Sequence, residues 1–531
     1  MSNIIKKPNL LIIETEKEDF KLNLIKDESK IADIEVNFNI INDNQMDIFL
    51  KAEKSRIKYI KLRWNIDINI TEHTKILSDT FERAYGDLEW KGMQPDRFMP
   101  WYFLKNEDNT TIGYGVKVRA NAFCFWQMDL QGITLWLDVR NGTKGVNLLD
   151  RELKICSIVN LEYKNINSFL ASKEFCKKMC DDAIFPKEPI YGFNNWYYAY
   201  GNISEDMVIR DTIELSKIVN NNIKNKPFMV IDDGWQVAHK LNEYNGGPWY
   251  KGNEKFPDMK KLAYKIKENN CRPGIWVRLL HTSDKQLPIN WRLKKDNNIL
   301  DISVPEFLDY IANIIKDITD WGYELIKHDF STVDILGYWG FELNPSKIEK
   351  EWSFYDETKT TAELIIQFYS KILEATNNKS YILGCNCIGY LGAGLMHLQR
   401  VGDDVSGICW ERTRKYGINT LAFRLSQHKT FFDIDVDCVG ITEEIPWELN
   451  KKWAELVANS GTPMFISANL TKLNKEQIDY LKRLLEINSK QTDIIEPIDW
   501  TNNTCPSTWN INGNLKKYDW YEEIGISKFI V

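Results

Sequence analysis

The sequence predicts a multidomain α/β protein: an N-terminal antiparallel β-sandwich over residues 1–185, a (β/α)8 TIM barrel over 186–490 and a short C-terminal β region over 491–531. Three observations carry that expectation. The first third of the chain alternates apolar and polar residues at period two between closely spaced turns. From Tyr191 onward, eight short apolar runs are separated by helical stretches. The chain, at 531 residues, is also long enough for two to four domains of ~150 residues each.

In the N-terminal region, Ile57–Trp64, Gly113–Arg119 and Ile133–Arg140 alternate as half-buried strands do. Polar turn clusters such as Asn106–Asn109 and Arg140–Thr143 separate them. A helical stretch from Asn167 to Asp182 leads to a Pro-bearing linker, Phe185–Pro189. The predicted barrel strands are Gly192–Tyr198, Pro227–Asp233, Pro273–Leu280, Leu325–Phe330, Tyr381–Asn386, His397–Asp403, Asp433–Val439 and Pro463–Ala468. Helices are expected at Ser204–Val219, Ile311–Ile318, Ala362–Ala375, Trp447–Asn459 and Lys475–Ile487. The last shows a one-sided stripe of Ile478, Leu481, Leu484 and Leu485. An open doubly wound sheet is the alternative, but no GxGxxG follows any strand. Trp500, Trp509 and Trp520 mark the C-terminal β region.

Composition narrows the function. A formal net charge of −7 argues against a nucleic-acid partner. No apolar run approaches the ~18 residues of a membrane span, and the N-terminus lacks a secretory apolar core, so a cytoplasmic location is expected. Ten scattered Cys without paired CxxC modules predict free thiols and no metal site. The 19 Trp suit either thick cores or the stacking of sugar faces. Composition leaves the oligomeric state open, with a homo-oligomer allowed.

In a barrel, polar residues at the C-terminal strand ends are the catalytic candidates. Strand two ends in Asp232-Asp233-Gly-Trp235, strand four in Lys327-His-Asp329-Phe, and strand six in Arg400-Val-Gly-Asp403-Asp404. Lys327 and Asp329 share parity and so one face. An ammonium buried beside Asp329 would keep it ionised, ready to attack a sugar carbon. The adjacent Asp232 and Asp233 repel each other unless donors such as sugar hydroxyls satisfy them. Trp196 or Trp235 could stack on the sugar, and Trp276 also falls near a strand end. An acid at the end of strand six would face Asp329 across the mouth, the paired-carboxylate layout of glycoside cleavage. Asp433–Asp437 reads as structural, and His281, His328 and His397 as packing residues.

Together these segments resemble the melibiase-type α-galactosidases, family 36-like and related to family 27 of the glycoside hydrolases. The resemblance rests on Gly192-Phe-Asn-Asn-Trp196, Ile231-Asp-Asp-Gly-Trp235, Lys327-His-Asp-Phe330 and Arg400…Asp404, in that order over roughly residues 190–490. It implies a retaining glycosidase that hydrolyses terminal α-galactosyl residues of small galactosides. Asp329 would be the nucleophile and Asp404 the acid/base, with Asp403 its rival. It further implies that Asp232 and Asp233 bind the 4- and 6-hydroxyls, Lys327 the 3- or 4-hydroxyl, Arg400 and Cys385 the 2-hydroxyl side, and Trp196 the sugar face, with no cofactor. The chain departs from the pattern at His328, where an aromatic is usual, and at Arg278, where an acid is frequent. It also departs after Cys385, where Gly-Gly-x-Arg is missing. Transglycosylation of the raffinose-synthase type, α-N-acetylgalactosaminidase activity and non-catalytic sugar binding therefore stand as alternatives.

Overall fold

The computed structural model describes residues 3–26, 28–219, 223–241, 246–343, 350–491 and 495–522. Two antiparallel sheets form the N-terminal region. One runs Asp19–Asn23, Leu10–Thr15, Ile57–Asn65, Gly132–Asp138, Phe123–Asp129, Met99–Pro100. The other runs Lys30–Ile31, Ile34–Asn42, Gln45–Ala52, Leu153–Lys164, Thr110–Val116, Tyr102–Glu107, Lys75–Ser78. Inward-facing residues of both, among them Leu50, Leu62, Trp64, Trp126 and Ile158, share one buried cluster. That shared core is what the period-two pattern required, since each sheet has one apolar face to bury.

The chain then enters a nine-stranded parallel sheet. Its strands are β1 (Tyr191–Asn194), β2 (Phe228–Ile231), β3 (Arg272–Val277), β4 (Leu325–His328), β5 (Tyr381–Gly384), β6 (Leu398–Arg400), β7 (Asp433–Asp435), β8 (Cys438–Ile441) and β9 (Met464–Ala468). The order across the sheet is β7-β6-β5-β4-β3-β2-β1-β9-β8. Most of these strands are buried along their whole length, as expected for a parallel sheet covered on both faces. Helices follow strands: α1 (Glu205–Ile218), α2 (Met259–Glu268), α3 (Pro305–Asp320), α4 (Thr361–Ala375), α5 (Trp447–Asn459) and α6 (Lys475–Asn488). Ser204, Asp258, Thr360 and Asn474 cap four of them by accepting a backbone N–H in the first turn. Glu363 and Gln477 complete capping boxes on α4 and α6.

Two expected strands are corrected: Gly192–Tyr198 ends at Asn194, with Trp196–Ala199 a helical turn. Asp433–Val439 does not run as a single element: it divides into β7 and β8, the two edges of the sheet, with only Val436 and Asp437 between them. Asp437 lies in the left-handed region at φ 74° and turns its carboxylate to the β6 side, where it receives the Val405 N–H at 2.9 Å. The chain gives up ladder continuity there to bind Arg400. The C-terminal region forms the small antiparallel sheet Glu496–Pro497, Thr508–Ile511, Asn514–Lys517. Trp500, Trp509 and Trp520 are buried in the large core. Among the described residues no helix is long and apolar enough to cross a membrane.

Candidate active site

The ends of β2 and β4 build one wall. Asp232, buried just past β2, receives the Lys327 ammonium at 2.8 Å and the Asn194 amide at 2.7 Å on the same oxygen. Its other oxygen accepts the Asp233 N–H, and its own N–H bonds the Asn195 side chain. The predicted Lys327–Asp329 partnership is thus corrected: the ammonium pairs across strands with Asp232, because β3 lies between β2 and β4 and a long side chain spans it. Burial opposes the charge on Lys327, but Asp232 outweighs it and holds the ammonium protonated.

Asp329 finds different donors. The Trp276 indole N–H reaches one oxygen at 3.0 Å and the Phe330 N–H the other at 2.7 Å. Phe330 sits at φ 64°, a conformation a bulky side chain adopts only when the surroundings impose it. That turn folds the chain back so its N–H meets the Asp329 carboxylate. Arg278, at the end of β3, makes a forked pair with Asp334 at 2.5–3.2 Å and lies 4.5 Å over the Phe330 ring. Burial raises Asp334 to about 6 even so. Arg278 therefore carries its own counter-charge.

The facing wall is the loop after β6. Arg400 reaches Asp404 at 3.3 Å and Asp437 at 2.6 Å, with Asp435 at 3.5 Å. Tyr197 donates its hydroxyl to Asp437. Asp435 and Asp437 thus anchor Arg400, while Asp433 pairs with Lys429 at 2.7 Å. Burial pushes the Asp404 carboxyl up, but Arg400, then Arg83 and Lys327, outweigh it and hold it below the usual range. Asp437, by contrast, is raised to about 6 by burial. Asp403 receives the Arg83 guanidinium at 3.1 Å and that of Arg412 at 3.4 Å.

Trp196, Asp232, Asp233, Trp276, Lys327, Asp329 and Asp404 all line one cleft of about 890 Å³. Arg400 and Cys385, 2% and 1% exposed, lie behind its wall. Trp235 is also corrected: it is fully buried, donates to the Trp276 carbonyl at 2.8 Å and packs on Trp249, leaving no face for a ligand. Gly234, at φ 127° and with a Cβ position 2.6 Å from the Gly201 carbonyl, allows the turn that buries it. Sequence reasoning missed Arg83 and Tyr85 from the N-terminal region, His239 beside Asp233 at 3.3 Å, and Trp339 and Phe341 beyond β4. Only their residue types could have hinted at them. Among the described residues no cluster of His, Cys, Asp and Glu has the geometry of a metal site, and all ten Cys are free.

This architecture recurs in solved enzymes. TtGalA, an α-galactosidase from Thermus thermophilus in complex with p-nitrophenyl α-D-galactopyranoside, matches at TM-score 0.62 and 13% identity, over 96% of this chain and 99% of that one. The fold is that of these α-galactosidases. The GH36 α-galactosidase AgaA from Geobacillus stearothermophilus matches at TM-score 0.58 and 13% identity, over 91% of this chain and 75% of that one. The galactosidase domain of the α-galactosidase-sucrose kinase AgaSK matches at 0.56 and 14%, over 86% and 66%. No family model matches the sequence.

Proposed function

We propose that the chain is a retaining α-glycosidase that hydrolyses terminal α-galactosyl residues of small galactosides through a covalent glycosyl-enzyme. The observation that carries this reading is the pairing, in one cleft, of a carboxylate at the end of β4 with a carboxylate after β6, each held by different donors. The fold shared with the solved α-galactosidases supports it. In this reading the strand run Asp433–Ile441 closes the sheet into a barrel, with an N-terminal β-sandwich domain over 1–185 and a β appendage from 491.

Asp404, which Arg400, Arg83 and Lys327 hold ionised at rest, first takes up a proton from solvent. Asp329 then attacks the anomeric carbon while Asp404 gives that proton to the leaving oxygen, and Asp404 next takes a proton from the water that releases the sugar. Trp276 and the Phe330 N–H hold Asp329 in line for attack. Asp232 and Asp233 take the galactosyl hydroxyls, Lys327 orients Asp232 toward them, and Trp196 offers its apolar face to the ring. Arg400 and Cys385 act from behind the wall, Arg400 through Asp404. Retention itself is checked by the anomer first released, read by proton NMR; release of the β-anomer would refute the covalent route.

The activity test is turnover of p-nitrophenyl α-galactoside by the native chain and by Asp329→Asn. Native turnover and a variant slowed by at least about 10⁴-fold, with an unchanged circular dichroism spectrum, are expected. A variant that keeps its activity would sink the assignment.

A further inference from the structure

The two carboxylates after β6 are held by a residue that the parallel sheet does not supply. Arg83 belongs to the segment between the N-terminal strands Lys75–Ser78 and Met99–Pro100, more than three hundred positions from Asp404 in the chain. Its side chain is 7% exposed, and one nitrogen, Nη1, lies 3.1 Å from Asp403 and 3.4 Å from Asp404. The guanidinium also lies 5.5 Å over the Trp339 ring, and its Nε is 3.4 Å from Glu82.

Nothing about that placement is loose. Ala84 donates its N–H to the Val401 carbonyl at 2.8 Å, and the Asp403 N–H returns to the Ala84 carbonyl at 3.0 Å. The segment is thereby stitched as a parallel bridge to the end of β6. Arg424 reaches the carbonyls of both Glu82 and Val401, at 2.6 and 3.1 Å, and is itself fixed by Asp79. On the other side the fully buried Glu82 carboxylate accepts the Gly340 N–H at 2.6 Å. A Cβ at Gly340 would stand 2.3 Å from that of Glu82, so only glycine permits the approach. The same segment thus grips the loop of Trp339 and the loop of Asp404 at once.

We propose that Arg83 is a positioning residue of this site: its guanidinium fixes the Asp404 carboxyl on the leaving-group side of the cleft and ties its proton exchange to the docking of the N-terminal segment. The inference rests on the reading of Asp404 as the acid/base. A carboxyl that must deliver a proton to an unactivated leaving oxygen needs both aim and a controlled proton affinity. Around Asp404 the charged and titratable groups are Arg83, Arg400 on β6, Lys327 on β4, Arg412 and Asp403 of its own loop, Asp437 beyond β7, and Tyr197 and Tyr200 after β1. Of the cations, Arg83 alone comes from the N-terminal region, and it touches both acids. Its removal leaves Arg400 in place, so Asp404 keeps one partner and loses the second.

The test uses the full chain with Arg83→Met and Arg83→Lys. For a galactoside whose aglycone is a sugar, Arg83→Met should lose about 10- to 100-fold in kcat/KM, and for an activated aryl galactoside much less, because a good leaving group needs little protonation. The basic limb of the pH profile should move to higher pH, since a cation favouring the carboxylate has gone. Added guanidinium should restore part of the loss, and Arg83→Lys should fall between. Equal losses on both substrates with an unmoved pH profile and no rescue would overturn the proposal and leave Arg83 a structural ion pair. Carboxyl ¹³C NMR of the Asp404 titration, taken as a difference against Asp404→Asn, reads the same contact without turnover. It must move up in Arg83→Met even if the native chain cleaves no galactoside, a result that would refute the glycosidase reading alone; an unmoved titration would refute the role of Arg83.

Discussion

The two walls of the cleft are built by opposite means. On one wall, Asp232, Lys327 and Asp329 sit at or just past the ends of β2 and β4, parallel strands with only β3 between them, and their partners come from strand ends: Asn194, Asn195, Trp276 and Phe330. On the facing wall, Asp403 and Asp404 lie in a loop after β6 whose shape depends on the N-terminal segment 79–85 and on Asp437 past β7. Strand ends fix a side chain through the sheet; the loop has to be fixed through contacts from elsewhere. One consequence is that the N-terminal region is part of the site and not merely attached to it. Another is electrostatic: the β2–β4 wall balances one buried lysine against its acids, whereas the wall after β6 packs Arg83, Arg400 and Arg412 around two carboxylates.

That contrast breaks most sharply at Lys327. Lys327→Met leaves Asp232 buried without its cation, and loss of one partner of a buried pair costs about 3–5 kcal/mol. Urea denaturation should show that loss, and Lys327→Met combined with Asp232→Asn should recover most of the stability but none of the turnover. Full stability in the single variant would mean that the pair is not what holds the β2–β4 wall.

Behind the same wall, His328 faces away from the cleft onto Phe368 and Tyr369, fully buried. Burial lowers it from 6.5 to about 3. Below pH 6.5 the unfolded chain takes up a proton that the folded chain refuses, so the native chain loses stability as pH falls toward 3. His328→Phe escapes that loss. Its stability relative to native should rise by up to about 3 kcal/mol between pH 7 and pH 4.5, by chemical denaturation at both values. A constant difference would show that His328 is not the acid-sensitive point of β4.

The smallest effect is expected at the rim of the cleft beside the loop after β6. Phe341 meets Tyr85 edge-on at 4.7 Å, the loop beyond β4 against the N-terminal segment, and is largely exposed. Phe341→Ala should raise KM for a sugar-bearing galactoside about 3- to 10-fold, the worth of one aromatic contact, and leave kcat nearly unchanged. A fall in kcat instead would place Phe341 in the chemistry.

The β2–β4 wall was largely legible in the sequence because strand parity is a local property. Lys327 and Asp329 were expected on one face, and both line the cleft. Arg400 and Asp404 stand four apart at the end of β6, and the structure adds what the spacing alone did not say, a 3.3 Å contact between them. Local pattern failed where the decisive contact is distant. Nothing in Glu82-Arg83-Ala84 marks it as the segment that docks on Gly402 through a single bridge. The division of Asp433–Val439 was equally hidden, since an alternating run reads as one strand until Arg400 draws Asp437 out of it. Trp235 misled for a related reason: its place beside two acids suggested a ligand face, but the turn at Gly234 sends it into the core.

The central claim is that Asp329 bonds covalently to the sugar, and trapping tests it most directly. A 2-deoxy-2-fluoro α-galactosyl fluoride, or an α-galactosyl epoxide analogue, should label the native chain once, with the added mass on the peptide that contains Asp329. Labelling should vanish in Asp329→Asn and persist in Arg83→Met. An adduct on Asp404, or steady turnover of galactosides with no adduct under any trapping condition, would contradict the account.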